Sequence, residues 1–249
     1  MTKGKTYVGI GGWTFEPWRG TFYPEGLKQK DELAYAASNL TAIEINGTYY
    51  STFKPESFRK WADAAPEGFK FTVKASRFCT NRKVLAEGGE SVQRFVNQGL
   101  VELGDKLGPI LWQFMPTKKF DADDFGAFLA LLPSAVDGVP LRHAVEVRHE
   151  SFRDPAFPAL AKAANVAIVH ADHAEYPLIE ADTADFTYAR LMRSQEQEIS
   201  GYAPAALDDW AGTARSWEKR GDVFAFFISG VKVRNPAAAQ ALIARLQKD

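Results

Sequence analysis

The sequence has only one cysteine, Cys79, and almost no net charge. A single cysteine cannot form an intramolecular disulfide, so the chain fits a reducing compartment. The formal net charge of -1 argues against a dedicated binder of long nucleic acid, because such proteins are normally basic. This balance still allows a local basic patch.

Long apolar runs and nucleotide-binding loops are also missing. No stretch approaches the roughly 18 consecutive apolar residues of a membrane span. The first residues, MTKGKTYVGIGGW, lack the apolar core of a secretory signal peptide. The segment GIGGWT does not have the spacing G-x-G-x-x-G, and there is no G-x-x-x-x-G-K-[ST] motif. We therefore expect a cytoplasmic protein with no membrane partner and no bound cofactor.

Short apolar segments alternate with helical patterns along the chain. Strands are predicted at residues 7–11, 42–46, 69–75, 109–114, 143–149, 166–172, 186–191 and 223–228. Helices are predicted at residues 31–40, 55–65, 91–104, 121–132, 203–221 and 235–247, whereas residues 176–185 show no clear helical pattern. This alternation indicates an α/β protein with a parallel sheet, and eight units in about 250 residues are typical of a (β/α)8 barrel. A doubly wound open sheet is the alternative. The sequence thus predicts one TIM-like barrel domain, residues 1–249, with a degenerate helix between strands six and seven.

Polar residues recur near the ends of the predicted strands, as in HAVEVRHESF, residues 143–152. Alternate side chains of a strand share one face, so Glu146 and Arg148 should face the barrel interior while Val145 and Val147 face the helices. TIM-barrel active sites lie at the C-terminal ends of the strands. The sequence therefore predicts a polar ring at the barrel mouth. Its members would be Glu44, Asn46, Lys74, Gln113, Glu146, Arg148, His170, Asp172 and Arg190.

The charges of this ring allow two interpretations. Three carboxylates and three cations could form a salt-bridged plug, or they could be placed to hold a ligand. We favour a ligand site, because a buried salt bridge gains little stability over well-packed apolar residues. Two aromatic segments are also ambiguous. GGWTFEPWRGTFYPEG could close one barrel end or form a stacking wall for a ligand, and NGTYYS could place Tyr49 or Tyr50 beside the mouth.

The chain resembles the YecE-like family, known as domain of unknown function number 72. The resemblance covers nearly the whole chain and depends on GGWTFEPWRGTFYP, AIEINGTYY, Trp61 with AAPEGFKFTVKASR, LGPILWQFMP, AVEVRHESF, Asp172, and YARL followed by Tyr202. It implies a TIM-barrel fold and a site, but no reaction. The site residues that it implies are Trp13, Glu44, Asn46, Lys74, Gln113, Glu146, Arg148, Asp172 and Arg190. The sequence departs from the family pattern at Met115, Met192-Arg193 and Ile228-Ser229, where Q-x-P-P, R-L-H-G and F-N-N are usual.

The favoured hypothesis is a pocket that binds or acts on a small molecule carrying a phosphate or a carboxylate. Lys74, Arg148 and Arg190 would hold the anion, since arginine suits bidentate contact. Glu44 or Glu146 would serve as general acid or base in a hydrolase or isomerase type of reaction. The alternative is a glycosidase-like pair formed by the same two carboxylates, which requires them to face open space at a fitting separation.

Three further hypotheses are less favoured. A metal site drawing on Glu146, His170, Asp172 or His173 would be opposed by the neighbouring cations. A nucleic-acid partner at SRFCTNRK is possible through its basic side chains, but a solvated loop explains that segment as well. Lys74 could form a Schiff base if nearby cations lower its pKa. The sequence predicts no particular substrate or oligomeric state.

Overall fold

A computed structural model describes residues 4–248, and nine parallel strand segments in it curl into one nearly closed sheet. A short antiparallel hairpin, formed by residues 135–136 and 139–140, precedes the strand that begins at His143. The strands are β1 (Thr6–Gly11), β2 (Ala42–Ile45), β3 (Lys70–Lys74), β4 (Leu107–Gln113), β5 (Ala135–Val136), β6 (Val139–Pro140), β7 (His143–Glu146), β8 (Ala167–Ile168), β9 (His170–Asp172), β10 (Phe186–Leu191) and β11 (Asp222–Phe227).

An interrupted strand closes the barrel. The sheet order is β8-β7-β4-β3-β2-β1-β11-β10-β9, so β8 and β9 are its two edges. These edges are consecutive in the chain and are separated only by Val169. Because β8 pairs with β7 and β9 pairs with β10, residues 167–172 act as one strand position. The prediction of an eight-position α/β barrel is therefore confirmed over the open sheet.

Helices follow most of the barrel strands and pack outside them. Proline begins the helices Pro55–Ala64 and Pro204–Glu218, where its fixed φ and missing N–H suit the first helical turn. The sequence did not predict the short helix Arg77–Thr80, the helix Ala156–Ala163 or the β5–β6 hairpin. The helices are α1 (Glu32–Asn39), α2 (Pro55–Ala64), α3 (Arg77–Thr80), α4 (Gly89–Val96), α5 (Ala122–Ala130), α6 (Ala156–Ala163), α7 (Pro204–Glu218) and α8 (Asn235–Leu246).

The helix predicted over 91–104 ends early, at Val96. Gly99 then adopts φ 114°, and a 3-10 segment, Leu100–Lys106, continues to the next strand. A Cβ at Gly99 would lie 2.6 Å from the Cα of Pro55. Glycine is needed here because two backbones approach closely, which ends the helix although the apolar spacing continues.

Residues 173–185 contain no helix, which confirms the degenerate connection between the sixth and seventh strand positions. A side chain of this segment supports the interrupted strand instead. Thr183 Oγ1 donates to the carbonyl of Val166 at 2.7 Å and accepts from the N–H of Ile168 at 3.2 Å. The connection therefore supplies hydrogen bonds to the backbone next to the break in the strand.

The buried apolar residues form two clusters, one between the strands and the helices and one inside the barrel. Strand residues such as Ile43, Val145 and Phe227 pack against the surrounding helices. A smaller buried cluster fills the interior, with Leu111 and Phe224 among its members. Polar groups flank this cluster: Arg142, paired with Asp222, lies over the Phe224 ring, and Glu44, Glu146 and Arg190 lie towards the C-terminal mouth. No helix in the described part of the chain has the length and apolar character needed to cross a membrane.

Candidate functional site

Arg190 lies at the centre of a buried ion network inside the barrel mouth and is 3% exposed. Its Nη2 and Nε donate to Glu44 Oε1 and Oε2 at 3.0 and 3.2 Å. Its Nη1 donates to Glu146 Oε2. Both carboxylates are fully buried. The planar guanidinium thus joins β2 and β7 across the barrel, a geometry that suits arginine better than lysine.

The remaining carboxylate positions are also filled. Tyr188 donates its hydroxyl to Glu44 Oε2 at 2.7 Å. Gln113 Nε2 and Arg148 Nε donate to Glu146 Oε1 at 3.0 and 2.6 Å. All four carboxylate oxygens therefore have partners, as buried charges require.

The network fixes the protonation states of Glu146, Arg190 and Tyr188. Burial would raise the pKa of Glu146, but the Arg190 and Arg148 guanidiniums outweigh it and lower the pKa to about 2. Burial also opposes the charge of Arg190, yet Glu146 and Glu44 raise its pKa above the ordinary value. Burial and Glu44 raise the pKa of Tyr188 well above 10.0. At neutral pH, Glu146 and Arg190 are charged and Tyr188 is a neutral donor.

This geometry corrects the expectation that Glu44 and Glu146 act as general acid or base. Neither carboxylate lines the cavity at the mouth, and both are held by Arg190. A carboxyl group with a pKa near 2 is also a poor proton donor at neutral pH. The glycosidase-like pair fails for the same reason, since it requires two carboxyl groups facing the substrate.

Lys74 is the partly buried amine of the mouth. Its Nζ donates to Gln113 Oε1 at 2.7 Å and lies 4.2 Å from the centroid of the Tyr49 ring. Within residues 4–248, no ion pair joins Lys74 to a carboxylate. Burial, followed by the charge of Arg190, lowers the pKa of Lys74 to about 8. Lys74 is therefore the mouth residue best placed to change charge near neutral pH.

A cavity of about 660 Å³ opens above this network. Trp13 and Trp61 form an aromatic wall, with ring centroids 5.4 Å apart and planes at 70°. Gly11 leaves room for Asn46, because a Cβ there would lie 2.7 Å from the Asn46 Nδ2. The site residues predicted from the sequence that line the cavity are Trp13, Asn46, Lys74, Gln113, Arg148 and Arg190.

The loop after β11 supplies lining residues that the sequence did not predict. Lys232 lines the cavity, with its Nζ 4.2 Å from the centroid of the Phe15 ring. Trp18 Nε1 donates to the Lys232 carbonyl at 3.0 Å. Ser229 and Asn235 line the same wall. Strand alternation could not find these residues, because they lie beyond the last strand.

Arg148 is covered by the connection that lacks a helix. Its guanidinium carbon lies 4.5 Å from the centroid of the Tyr176 ring. Tyr176 stacks on His173, with centroids 3.8 Å apart and planes at 12°. The segment between β9 and β10 therefore holds Arg148 against the mouth from above.

The predicted inward placement of His170 and Asp172 is wrong. His170 packs against Trp210 and Trp217 of α7, outside the barrel. Asp172 pairs with Arg193, whose Nε lies 3.1 Å from Asp172 Oδ1. Asp172 therefore belongs to the outer side of the sheet and does not line the cavity.

Sheet register explains this error. Arg190 is the register partner of Ala171, and Leu191 is the partner of Asp172. Paired residues of neighbouring strands share a face, so Ala171 points inward with Arg190. Alternation along one strand separates the two faces but does not tell which one faces the interior.

The residues considered for a metal site do not converge. Glu146 lies inside the barrel, whereas His170 and Asp172 lie on its outer face. Across residues 4–248, no three His, Cys, Asp or Glu side chains are grouped in a way that could hold a metal ion.

The two ambiguous aromatic segments have different outcomes. Trp18 and Tyr23 are 1% exposed and belong to the outer core, so most of the first segment is a packed cluster. Trp13, whose carbonyl accepts from the Tyr23 hydroxyl, reaches the cavity. Tyr49 and Tyr50 both lie beside the mouth, as their position after the second strand suggested.

A closed parallel barrel with charged residues at its C-terminal mouth defines a TIM-barrel protein. The model of the family described as "Protein of unknown function DUF72" matches residues 7–249. The chain belongs to this family, which confirms the resemblance found in the sequence.

Known relatives and structures agree with this assignment. UPF0759 protein YunF of Bacillus subtilis (strain 168) is 24% identical over 156 residues, which are 61% of this chain and 53% of that protein. The match thus spans about half the length of that curated relative. A DUF72 family protein from Thermotoga maritima MSB8 is 22% identical with a TM-score of 0.78, covering 98% of this chain and 100% of that one. A DUF72 family protein from Enterococcus faecalis V583 is 19% identical with a TM-score of 0.71, covering 98% and 97%. At these identities the structures show the fold alone.

Proposed function

We propose that the mouth cavity binds a small molecule carrying a phosphate or a carboxylate. The observation that carries this proposal is an imbalance of charge at the cavity surface. Four cationic side chains line the cavity, namely Lys74, Arg148, Arg190 and Lys232, and no carboxylate of the described residues does so.

The buried carboxylates neutralise only part of this charge. Glu44 pairs with Arg190, and Glu146 pairs with both Arg190 and Arg148. The two negative charges therefore balance the two arginines. In the described structure, neither Lys74 nor Lys232 makes an ion pair with a carboxylate. Two positive charges facing a partly desolvated cavity favour an anion, because electrostatic attraction is stronger there than in bulk water.

The shape of the cavity supports a ligand with an apolar part as well. Trp13 and Trp61 provide a flat aromatic wall, and Asn46 and Gln113 provide amide groups near the cations. Such a mixture of aromatic area and a few polar groups is typical of small-molecule sites. The proposed ligand is therefore a compact anion attached to an organic body.

Lys74 is the proposed proton-exchanging residue. With a pKa of about 8, both its charged and its neutral form are populated near neutral pH. Gln113 accepts a hydrogen bond from the ammonium and so holds the nitrogen at the cavity wall. This assignment replaces the buried carboxylates as the acid–base group of the site.

The test is a thermal-shift screen at pH 7 with sulfate, inorganic phosphate and small organic carboxylates and phosphate esters. A bound anion at ten times its Kd should stabilise the protein by about 1.4 kcal/mol. Lys74→Met should lose most of this stabilisation, whereas Lys162→Met, far from the mouth in the last turn of α6, should keep it. The proposal fails if no anion stabilises the wild-type protein, or if the Lys74 and Lys162 variants respond alike.

A further inference from the structure

A second group of cations lies beside the mouth, in the loops that follow β3 and β4. A depression of about 760 Å³ between these loops contains four cationic side chains and one carboxylate, Asp121. We call the cationic group the basic rim. Its members are Arg82, Lys83, Lys118 and Lys119.

Much of the basic rim is directed to solvent. Lys118 is neutralised by Asp124, with Nζ 2.8 Å from Oδ2. Arg82 donates to backbone carbonyls, including that of Phe78 at 3.1 Å, and so keeps its net charge. Lys83 and Lys119 are exposed, and the described residues offer neither of them an ion pair. A positive surface therefore remains after the internal contacts are counted.

Exposed apolar side chains are frequent in the connections that follow β2, β3 and β4. Six large hydrophobic side chains are exposed within residues 4–248, and four of them lie in the connections after β2, β3 and β4, one of these in α3. The four are Tyr50 at 66%, Phe78 at 64%, Val84 at 39% and Met115 at 42% exposed.

The basic rim adjoins the mouth cavity. Asn81 lines the depression and donates to the Tyr49 hydroxyl at 3.1 Å, and Tyr49 in turn covers Lys74. Gln113 lines the cavity, and Met115, two residues later, lines the depression. Two residues span at most about 7 Å. One extended ligand can therefore contact both surfaces.

We infer that the basic rim binds single-stranded nucleic acid. Cations that follow the phosphates, together with exposed aromatic rings on which bases stack, are the two elements of sequence-independent single-strand binding. Phe78 is joined to the rim by Arg82, whose Nε donates to the Phe78 carbonyl. Tyr50 is joined to it by Tyr49, whose hydroxyl accepts from Asn81 and whose ring centroid lies 4.9 Å from that of Tyr50. These two exposed residues offer the rings, and Lys83 and Lys119 offer the charges. A duplex would present its phosphates but not the faces of its bases. The net charge of -1 confines the attraction to this patch.

The experiment is fluorescence anisotropy with a labelled twelve-nucleotide oligothymidine, compared with a duplex of the same length, at two salt concentrations. Lys83→Glu/Lys119→Glu should weaken single-strand binding at least tenfold and flatten its salt dependence. Phe78→Ala should weaken it about fivefold or more, because stacking on one base is lost. The matched control is Lys162→Glu/Lys219→Glu, which makes the same charge change at the ends of α6 and α7, on the opposite face of the barrel. The control should bind within about twofold of the wild type.

Each alternative result overturns the inference. It fails if the oligonucleotide does not bind at low salt, if the control loses as much affinity as the rim variant, or if the duplex binds as tightly. It also fails if Phe78→Ala lowers affinity for inorganic polyphosphate as much as for the oligonucleotide, since base stacking would then play no part. Unfolding midpoints of all variants serve as the check on folding. The small-anion proposal is judged separately, because sulfate binding in the cavity should survive the Lys83/Lys119 change.

Discussion

Arg190 and Lys74 lie in the same barrel mouth but differ in what surrounds their charge. Arg190 is buried, bridges Glu44 and Glu146, and has its ionised state reinforced by them. Lys74 has one amide acceptor, an aromatic ring beside it and a lowered pKa. The first arrangement stabilises the barrel, and the second leaves a charge to be matched by a ligand.

The comparison shows that a ring of polar residues is not one functional unit. A charge whose hydrogen-bond positions are all filled within the protein has little left to offer a substrate. A charge that is partly desolvated and unpaired is the one that an anion would stabilise. The predicted ring therefore divides into a structural floor, around Arg190, and a reactive wall, around Lys74.

The largest effect should come from Arg190→Met. It leaves Glu44 and Glu146 buried without their shared cation, and breaking a buried pair in this way costs about 3 to 5 kcal/mol. Urea denaturation should show this loss. Arg148→Met should lose less unfolding free energy. The Arg148 side chain is 17% exposed, and in its absence Glu146 keeps its hydrogen bonds to Arg190 and Gln113. Equal losses in the two variants would contradict the structural role given to Arg190.

The next effect concerns pH and Glu146. Its folded pKa of about 2 is below the ordinary 4.5, so its contribution is complete above about pH 4.5 and is lost as pH falls through 2. A shift of this size corresponds to roughly 3 kcal/mol. The difference in unfolding free energy between wild type and Glu146→Gln should therefore narrow from pH 6 to pH 3.

The control for this pH effect is Glu150→Gln, which removes an exposed carboxylate paired with Arg153. The unfolding free energy of this variant should stay close to that of the wild type at both pH values, because exposed ion pairs contribute little to stability. If the difference in unfolding free energy between wild type and Glu146→Gln were the same at pH 6 and pH 3, the buried network would not lower the pKa of Glu146.

A smaller effect on stability, but a clear one on binding, is expected from Lys74→Met. Burial already disfavours the ammonium, so removing it should change the unfolding free energy by less than about 1 kcal/mol. Affinity for sulfate, measured by isothermal titration, should fall about tenfold, which corresponds to roughly 1.4 kcal/mol. Strong destabilisation with unchanged sulfate affinity would reverse the roles assigned to Lys74 and Arg190.

The smallest effect should come from Asp172→Asn. Its partner Arg193 is 56% exposed, so the pair contributes at most about 1 kcal/mol. Sulfate affinity should not change, because Asp172 lies on the outer face of the sheet. A change in sulfate affinity would contradict the placement of Asp172 outside the anion site.

The fold was largely predictable from the sequence because the patterns that mark its strands and the starts of its helices are local. Short apolar runs mark strands such as 223–228, and proline marks the starts of α2 and α7. The early end of α4 was not predictable, since it depends on the contact of Gly99 with Pro55, two residues far apart in the chain. Local patterns determine the elements, whereas long-range contacts determine where some of them end.

The site was predictable only in part, for a similar reason. Strand alternation correctly gathered Glu44, Glu146 and Arg190, but it could not tell that their charges satisfy one another. It misplaced His170, because the inward face of β9 is defined by register with β10. The position of Lys232 at the cavity was not predicted, because residues outside helices and strands show no periodic pattern in the sequence.

The most direct test of the proposed anion site is the pH dependence of sulfate binding by isothermal titration between pH 6.5 and 9.5. Sulfate keeps the same charge over this range, so any change comes from the protein. Lys74 binds its proton below about pH 8, and affinity should therefore be high at pH 6.5 and fall as pH rises through 8. Lys74→Met should show a weaker affinity and a smaller fall. A wild-type affinity that stays constant across this range, or an equal fall in the variant, would contradict the assignment of Lys74 as the anion-binding amine of the mouth.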